Sequence, residues 1–157
     1  MIDKIRDFEL AKLIIKSLTR GSNELGIIYY DFIKEACDDG RFLRYMINDI
    51  TIGFAVYSVK KRKRFVDVDY IYVDELKRCE GIGSALIKQI YIATKSLYEN
   101  LGYVMRIKVL IESDSNKFFH KIASSEDYDT YISKEDGLTH KTITYIILPN
   151  KLEHLKI

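Results

Sequence analysis

A glycine-containing turn between an apolar strand and an amphipathic helix is the feature that most limits how this chain can fold. The strand reads Tyr70-Ile-Tyr-Val73, the turn reads Arg78-Cys-Glu-Gly-Ile-Gly83, and apolar residues then recur at helical spacing. A helix beginning here leaves its first amide N–H groups unpaired at the positive end of its dipole, where phosphate oxygens bind. Gly81 and Gly83 let a ligand lie against the main chain because they have no Cβ. The pattern therefore predicts an anion-binding turn with Arg78 as a cation at its rim.

Two common nucleotide-binding patterns are absent from the chain. A P-loop needs Gly-x-x-x-x-Gly-Lys-Ser/Thr and a dinucleotide fold needs Gly-x-Gly-x-x-Gly, and the sequence contains neither. The pattern that is present, Arg-x-x-Gly-x-Gly five residues after Val73, resembles the acetyl-CoA pyrophosphate signature of the GNAT acetyltransferase superfamily. The resemblance covers Phe65 to about Leu101, with looser support from Ile52-Gly53-Phe54. The alternative interpretation is an ordinary strand-to-helix turn in which glycine serves tight packing.

Hydrophobic periodicity and turn residues divide the chain into alternating strands and helices. We predict strands at Ile2–Arg6, Phe42–Ile47, Thr51–Val59, Phe65–Val73, Val104–Ile111, Tyr128–Ile132 and Lys141–Leu148, and helices at Leu10–Leu18, Ile27–Ala36, Gly81–Glu99 and Asn116–Ile122. The main helix is expected to turn Leu86, Ile90, Leu97 and Leu101 inward. This order is typical of a mixed-sheet α/β layer rather than a doubly wound parallel sheet.

The resemblance implies the fold in more detail. It implies an α/β, single-domain GNAT-like fold over residues 1–157, with a mixed, mostly antiparallel central sheet flanked by helices and two splayed parallel strands. In that family the strand before the pyrophosphate turn and the strand after the main helix run parallel and then separate, and the pantetheine arm of the cofactor enters between them. Phe65–Val73 and Val104–Ile111 are the corresponding strands here.

Composition limits the classes of function. With 157 residues, 47% of them hydrophobic, the chain can bury one full core, so we expect one domain. The net charge of +2 gives no strong overall field for nucleic acid or an anionic membrane. Cys37 and Cys79 lie far apart, Met1–Arg6 is too charged for a signal peptide, and no apolar run reaches about 20 residues, so we expect a soluble, cytoplasmic protein. The three histidines lack metal-ligand spacing, so no metal is expected.

The resemblance also implies which residues bind acetyl-CoA. The backbone of the strand end would pair with pantetheine, an amide near Ile71 or Tyr72 would face the thioester oxygen, and the turn would hold the pyrophosphate. We also expect Asn116 to contact the cofactor. The complete predicted set is Tyr70, Ile71, Tyr72, Val73, Arg78, Cys79, Glu80, Gly81, Ile82, Gly83, Ser84 and Asn116.

Two aspartates on the same strand are candidates for a general base. A two-residue period places Asp67 and Asp69 on one face of the strand and Val66, Val68, Tyr70 and Tyr72 on the other. Family members draw a base from the same offsets, although with Glu or His, and we place Asp67 slightly ahead of Asp69. Two close carboxylates in a partly buried setting would raise at least one pKa toward neutrality. The alternative is a pair of solvated carboxylates that balance the basic run at 60–64.

The family's usual general acid is a tyrosine on the helix after the second splayed strand. The corresponding segment, Asn116-Lys-Phe-Phe-His-Lys-Ile-Ala123, has no tyrosine and lacks the Gly-Phe that commonly follows. Depending on register, Phe119 or His120 takes the tyrosine position. His120 could protonate the leaving thiolate because its intrinsic pKa is close to neutral, whereas a surface helical histidine is the alternative.

The predicted function is an N-acetyltransferase that moves an acetyl group from acetyl-CoA directly to a primary amine in a ternary complex. A protein N-terminus, a lysine or a small amine could be the acceptor, bound between Asp7–Asp39 and a loop at Ser133–Thr139. One alternative is a non-catalytic acetyl-CoA-binding or regulatory module. Another is a nucleic-acid adaptor acting through Lys60–Arg64, which otherwise forms a solvated hairpin tip. Monomer and homodimer stay open, and neither membrane nor nucleic acid is an expected partner.

Overall fold

A computed structural model describes residues 1–132 and 137–155, which form a seven-stranded sheet with helices on both faces. The strands are β1 (Ile2–Lys4), β2 (Phe42–Ile47), β3 (Ile50–Lys60), β4 (Phe65–Val73), β5 (Val104–Leu110), β6 (Ser125–Ile132) and β7 (Thr139–Ile147). The helices are α1 (Phe8–Leu18), α2 (Tyr30–Asp38), α3 (Ile82–Ala93), α4 (Lys95–Leu101), α5 (Asn116–Ile122) and α6 (Pro149–Glu153), with a 3₁₀ turn at Glu75–Lys77. None of the helices in the described part of the chain has the length and apolar character needed to cross a membrane.

The sheet is antiparallel except at its centre, in the order β1-β2-β3-β4-β5-β7-β6. The parallel partners β4 and β5 pair only from Phe65–Val104 to Val68–Ile107. Beyond that point β4 stays paired with β3 as far as Val73, and β5 stays paired with β7 as far as Leu110. The two central strands therefore separate, which confirms the predicted fold class. We call the space between Asp69–Val73 and Lys108–Leu110 the strand gap.

Each face of the sheet has its own core. Helices α1 and α2 cover one face through Ile14, Ile15 and Ile33, which pack with Phe54 and Val56 of β3. The opposite face is covered by α3 to α6, whose buried members are Ile82, Leu86, Ile87, Ile90, Tyr91, Tyr98, Phe119 and Leu152. The helical spacing of apolar residues thus fits two separate helical layers, as expected for an α/β sandwich.

A bulge in β4 changes the face to which its residues point. Val56 pairs with Tyr70 and Tyr57 pairs with Val68, so Asp69 has no partner in β3. Val66 and Val68 pack in the α3 core, whereas Tyr70 and Tyr72 pack in the core under α1 and α2. The prediction that Val66, Val68, Tyr70 and Tyr72 share one face was therefore wrong. An extra residue in one strand reverses the alternation beyond it, and the sequence pattern alone does not contain that insertion.

The prediction of one main helix over Gly81–Glu99 was also wrong, because this stretch contains two helices, α3 and α4, that meet at Thr94. The Thr94 hydroxyl donates to the Ile90 carbonyl at 2.7 Å, and its backbone N–H reaches the carbonyls of both Ile90 and Tyr91. Thr94 thus separates α3 from α4, and Leu101 at the end of α4 is 52% exposed instead of inward. Among the smaller differences, α2 begins at Tyr30 rather than Ile27, β1 ends at Lys4 rather than Arg6, and β6 begins at Ser125 rather than Tyr128. The short helix α6, which begins at Pro149, was not predicted.

Candidate functional site

The glycine turn, residues Arg78–Ser84, has the geometry of an open anion site. Gly81 is the N-cap of α3 with φ +84°, and no side chain caps this helix end. A Cβ built on Gly81 or Gly83 would meet no heavy atom within 4 Å. The first amides of α3 are thus next to free space at the positive end of the helix dipole. The turn therefore has an uncapped helix end with space beside it, and phosphate binding there stays a prediction.

Gly53 of β3, in the Ile52–Phe54 segment, lies where close packing leaves little room for a Cβ. A Cβ at Gly53 would lie 3.1 Å from the Tyr72 carbonyl oxygen and 3.3 Å from Ile82 Cγ2. Its absence lets β3 lie close to the end of β4 and the start of α3. Gly53 therefore sets the distance between the strand gap and the glycine turn.

Arg78 ties two parts of the site together instead of lying free at the rim. Its Nη1 and Nη2 donate to Glu24 at 2.7 and 3.0 Å, and its Nε donates to the Val73 carbonyl at 2.9 Å. The guanidinium also lies 5.0 Å from the Tyr72 ring centroid and 3.6 Å from Asp114. Arg78 thus fixes the segment between α1 and α2 against the end of β4. No sequence pattern pointed to Glu24, since an isolated carboxylate in a polar loop has no distinctive spacing.

A cavity of about 200 Å³ lies at the strand gap. Its wall includes Glu24 and Tyr29 from the segment before α2, Asp69 and Tyr70 from β4, Lys108 from β5 and Thr142 from β7. Tyr29, Asp69 and Tyr70 also line a second cavity, of about 280 Å³, together with Phe32. Along the gap, β4 keeps its hydrogen bonds to β3 but has no strand partner on its other edge within the described residues. Backbone groups of Tyr70 to Val73 are therefore available on that edge, and their pairing with pantetheine stays a prediction.

Tyr70 contributes its backbone to the gap and its side chain to the wall of the cavity. The Tyr70 hydroxyl donates to the Ile27 carbonyl at 3.3 Å and accepts from the Tyr29 amide at 3.2 Å. These bonds hold the segment before α2 over β4, as the Arg78–Glu24 pair does at the other end of the same segment. The region predicted to bind the acceptor therefore lies beside the gap. Residues 133–136 of the other predicted acceptor segment, Ser133–Thr139, lie outside the described residues.

Asp69 lies at the bulge, where β4 and β5 part. Burial raises the pKa of Asp69 to about 6, and the Asp67 charge adds to this effect, while Ser58 and the cations Lys60 and Arg41 oppose it. Its Oδ2 is buried without a hydrogen-bond partner among the described residues. A carboxyl group with a pKa near neutrality that lines a cavity can exchange a proton with a ligand.

Asp67 is held differently, although it lies only two residues away. Both of its oxygens accept from Arg106, at 2.7 Å from Nε and 2.8 Å from Nη2. Arg106 in turn lies over the Phe65 ring at 4.1 Å. A two-pronged ion pair takes one lone pair of each oxygen and holds the carboxylate against Arg106. The geometry thus favours Asp69 over Asp67 as a base, and the sequence preference for Asp67 stays a prediction.

His120 and Asn116 of α5 belong to a network of hydrogen bonds. His120 Nδ1 lies 2.6 Å from Glu126 Oε1, and its Nε2 lies 3.4 Å from the Tyr145 hydroxyl. Tyr145 donates to Asn116 Oδ1 at 2.6 Å, and the Asn116 amide donates to the carbonyls of Leu110, Ile111 and Ser113. This network of hydrogen bonds holds the turn that follows β5. Phe119, the other candidate for the acid position, is buried in the core.

The Tyr145 hydrogen bond yields a test of this structural role. Burial raises the pKa of Tyr145 to about 12, so the hydroxyl stays protonated and donates. Tyr145→Phe should lower the free energy of unfolding by about 1–3 kcal/mol, because buried Asn116 Oδ1 loses its donor. Urea denaturation measures this value. Tyr103→Phe is the control, since Tyr103 is also buried, at 6% exposed against 0% for Tyr145, but its hydroxyl has no protein partner among the described residues; equal losses in both variants would contradict the assigned role.

The remaining predicted residues are placed as follows. Cys79 and Glu80 are exposed in the turn, with Cys79 at φ +67°, Ser84 is half-buried, and Ile82 is buried against the sheet. The basic run Lys60–Arg64 is exposed at the β3–β4 turn, the end of β4 opposite to the strand gap. Within residues 1–132 and 137–155, no group of three or more histidine, cysteine or acidic side chains could hold a metal ion.

Comparison with known proteins gives matches in structure only. No protein-family model and no curated protein sequence matches this chain. The solved structure of Arabidopsis thaliana Naa50 with the bisubstrate analogue CoA-Ac-MVNAL aligns with a TM-score of 0.67 at 18% identity, covering 92% of this chain and 96% of Naa50. Diaminobutyrate acetyltransferase EctA from Paenibacillus lautus, with its substrate and coenzyme A, aligns at 0.68 and 14% identity, covering 95% and 94%.

A third solved structure, Ard1 from Thermoplasma volcanium, aligns with a TM-score of 0.63 at 19% identity and covers 94% of this chain and 97% of Ard1. The alignments extend over nearly the whole of each chain. At these low identities the likeness concerns the fold. This chain has the fold of the GNAT N-acetyltransferases.

Proposed function

We propose that this protein transfers an acetyl group from acetyl-CoA to a primary amine. The observation that carries the proposal is the cavity at the strand gap, which contains the buried Asp69 carboxylate and lies beside an uncapped glycine turn. Naa50 and EctA, which share the fold, hold a CoA-based bisubstrate analogue and coenzyme A. Their acceptors are a peptide and a diamino acid, so the fold accommodates both protein and small-molecule amines.

The chain offers matching groups for each part of the cofactor. The amides of Gly81 to Ser84 would receive the pyrophosphate at the N-terminus of α3, where the Gly81 and Gly83 positions leave space. The free edge of β4 at Tyr70 to Val73 would pair with the pantetheine amides. Arg78 is occupied by Glu24, so its role is to hold the α1–α2 segment rather than to bind phosphate directly. Bound acetyl-CoA would supply the activated acyl group as a thioester.

Asp69 is the residue that we assign to proton removal. Glu24 and Asp67 also lie close to the gap, but both have their oxygens taken by an arginine, whereas Asp69 Oδ2 has no partner among the described residues. An acceptor bound as its ammonium ion would first lose one proton to Asp69, which passes it to solvent. The neutral amine would then lose a second proton to Asp69 as its nitrogen bonds to the acetyl carbonyl carbon. The carbon–sulfur bond then breaks, and the thiolate takes a proton from the Asp69 carboxyl group or from water.

The cofactor part of the proposal is tested by calorimetric titration of the full chain with acetyl-CoA, desulfo-CoA and ATP. We expect micromolar binding of acetyl-CoA and desulfo-CoA and at least about tenfold weaker binding of ATP, because only the first two carry the pantetheine arm that the β4 edge would pair with. Absence of binding by acetyl-CoA would mean that the glycine turn serves packing alone, and the proposal would fail.

A further inference from the structure

One wall of the gap cavity contains a cation that the proposed reaction does not use. Lys108 is an exposed residue of β5 and lines the cavity together with Asp69 and Thr142. Neighbouring residues Ile107 and Val109 point into the α3 core, so Lys108 points to the opposite face of the sheet. That is the face on which Tyr70 and α2 lie. Lys108 is therefore on the side from which an acceptor would approach.

Lys108 and Asp69 are adjacent positions on the two separating strands. The last parallel pair is Val68–Ile107, and Asp69 and Lys108 are the next residues of β4 and β5. No ion pair joins them, and Lys108 has no salt bridge to any other described residue. Among the charged groups of the cavity wall, Glu24 is paired with Arg78, whereas the Asp69 carboxyl group and the Lys108 ammonium group are in no ion pair with a described residue. Both of these groups line the same cavity, so both can contact one small ligand.

Thr142 adds a third polar group to the same wall. It is 3% exposed, and its hydroxyl has no hydrogen-bond partner in the described part of the chain. Burying a hydroxyl without a partner is unfavourable, and a polar ligand in the cavity would supply one. The three groups together match a ligand that carries both charges, with its ammonium toward Asp69 and Thr142 and its anion toward Lys108.

We propose that the acceptor is a primary amine that carries a carboxylate a few bonds from its nitrogen, and that Lys108 is the residue that selects it. This inference rests on the proposed acetyltransferase function and specifies its substrate class. The required chemistry occurs in free amino carboxylates and in polypeptides whose first residue is aspartate or glutamate. A simple alkylamine or a polyamine lacks the anion and would leave Lys108 unpaired.

Pairs of acceptors that differ only in the anion test this proposal. One arm compares γ-aminobutyrate with γ-aminobutyramide, and the other compares hexapeptides that begin with Glu and with Gln. In at least one arm, the acid should exceed its amide about tenfold in kcat/KM, because a charged hydrogen bond to Lys108 is lost in the amide. The arm that shows the preference identifies the source of the amine.

Variants at Lys108 assign the preference to this residue. Lys108→Gln should reduce the acid-to-amide ratio of kcat/KM to about one, and Lys108→Glu should reduce it below one. Lys121→Gln, which removes an exposed lysine of α5, is the matched control and should keep the tenfold preference. Equal rates for acid and amide in the unmodified protein, or a preference that persists in Lys108→Gln, would overturn the proposal.

The same comparison is made on binding, by titrating each acceptor into the protein saturated with desulfo-CoA. Tighter binding of the acids, lost in Lys108→Gln but without any acetyl transfer, would support the Lys108 subsite and refute the acetyltransferase function. Transfer with equal affinities for acid and amide would support the acetyltransferase and refute the subsite. Failure to bind either acid more tightly than its amide overturns the subsite regardless of turnover.

Discussion

Gly83→Leu should weaken acetyl-CoA binding by about a hundredfold or more while the protein stays folded. A leucine side chain at this position would fill the space beside the first turn of α3 and block several charge-assisted hydrogen bonds from the helix amides to phosphate. Nothing within 4 Å of the Cβ opposes the substitution, and leucine favours a helix over glycine by up to about 1 kcal/mol. Calorimetry with acetyl-CoA and a thermal melt of the same sample measure both effects.

Two further variants separate binding from folding. Gln89→Leu adds the same side chain further along α3 and should leave the acetyl-CoA affinity unchanged. Gly81→Leu should lose affinity and also some stability, because φ +84° at Gly81 disfavours any residue with a Cβ by about 1 kcal/mol. Micromolar acetyl-CoA binding by folded Gly83→Leu would show that the cofactor does not use this helix end.

Asp69→Asn should lower kcat for acetyl transfer by about 10²- to 10⁴-fold, the usual contribution of a general base. Since the pKa of Asp69 is about 6 in the free protein, kcat/KM of the unmodified protein should rise through pH 6 and level off above it. The variant should lose this dependence. Asp67→Asn is the matched control: it should retain the rise, at a somewhat lower pH because the Asp67 charge no longer raises the pKa of Asp69, and loss of the rise in Asp67→Asn alone would identify Asp67 as the base.

Asp69→Asn should lower the rate of acetyl transfer but raise the stability of the protein at high pH. The pKa of Asp69 is higher in the folded than in the unfolded chain, so its favourable contribution is full below pH 3.8 and disappears as the pH rises through about 6. At pH 8 the native protein carries a buried carboxylate with an unpartnered oxygen. The change in the free energy of unfolding that Asp69→Asn causes should therefore be about 2 kcal/mol more stabilising at pH 8 than at pH 4. Urea denaturation at both pH values measures the difference, and equal effects at the two pH values would contradict the shifted pKa.

Local patterns predicted the elements that carry the cofactor site. The bounds of β4 and α5 are those expected from the sequence, because Phe65–Val73 and Asn116–Ile122 have clear periodicity and distinct ends. The glycine turn was also predictable, since its chemistry depends on backbone conformation within a few residues. Splaying of β4 and β5 came from the family resemblance and not from any periodicity in the chain.

The arrangement of side chains in the site depended on contacts that no local pattern contains. The bulge at Asp69 arises from pairing with β3, and it decides that Asp69 faces the same side as Tyr70. The partners of Arg78 and Asp67 are Glu24 and Arg106, which lie 54 and 39 residues away in the sequence. Such ion pairs are set by the tertiary fold. These ion pairs explain why residue type and spacing narrowed the candidate base to Asp67 and Asp69 but did not decide between the two.

The most direct test of the account is to measure amine-dependent release of free thiol from acetyl-CoA, with mass spectrometry of the acetylated amine in the same reaction. The account predicts one thiol for each acetylated amine, at a rate that increases through pH 6 and is lost in Asp69→Asn. Tight acetyl-CoA binding with no thiol release above the rate in buffer, across carboxylate-bearing amines, simple amines and peptides, would contradict it. That result would instead indicate a protein that binds acetyl-CoA without catalysing transfer.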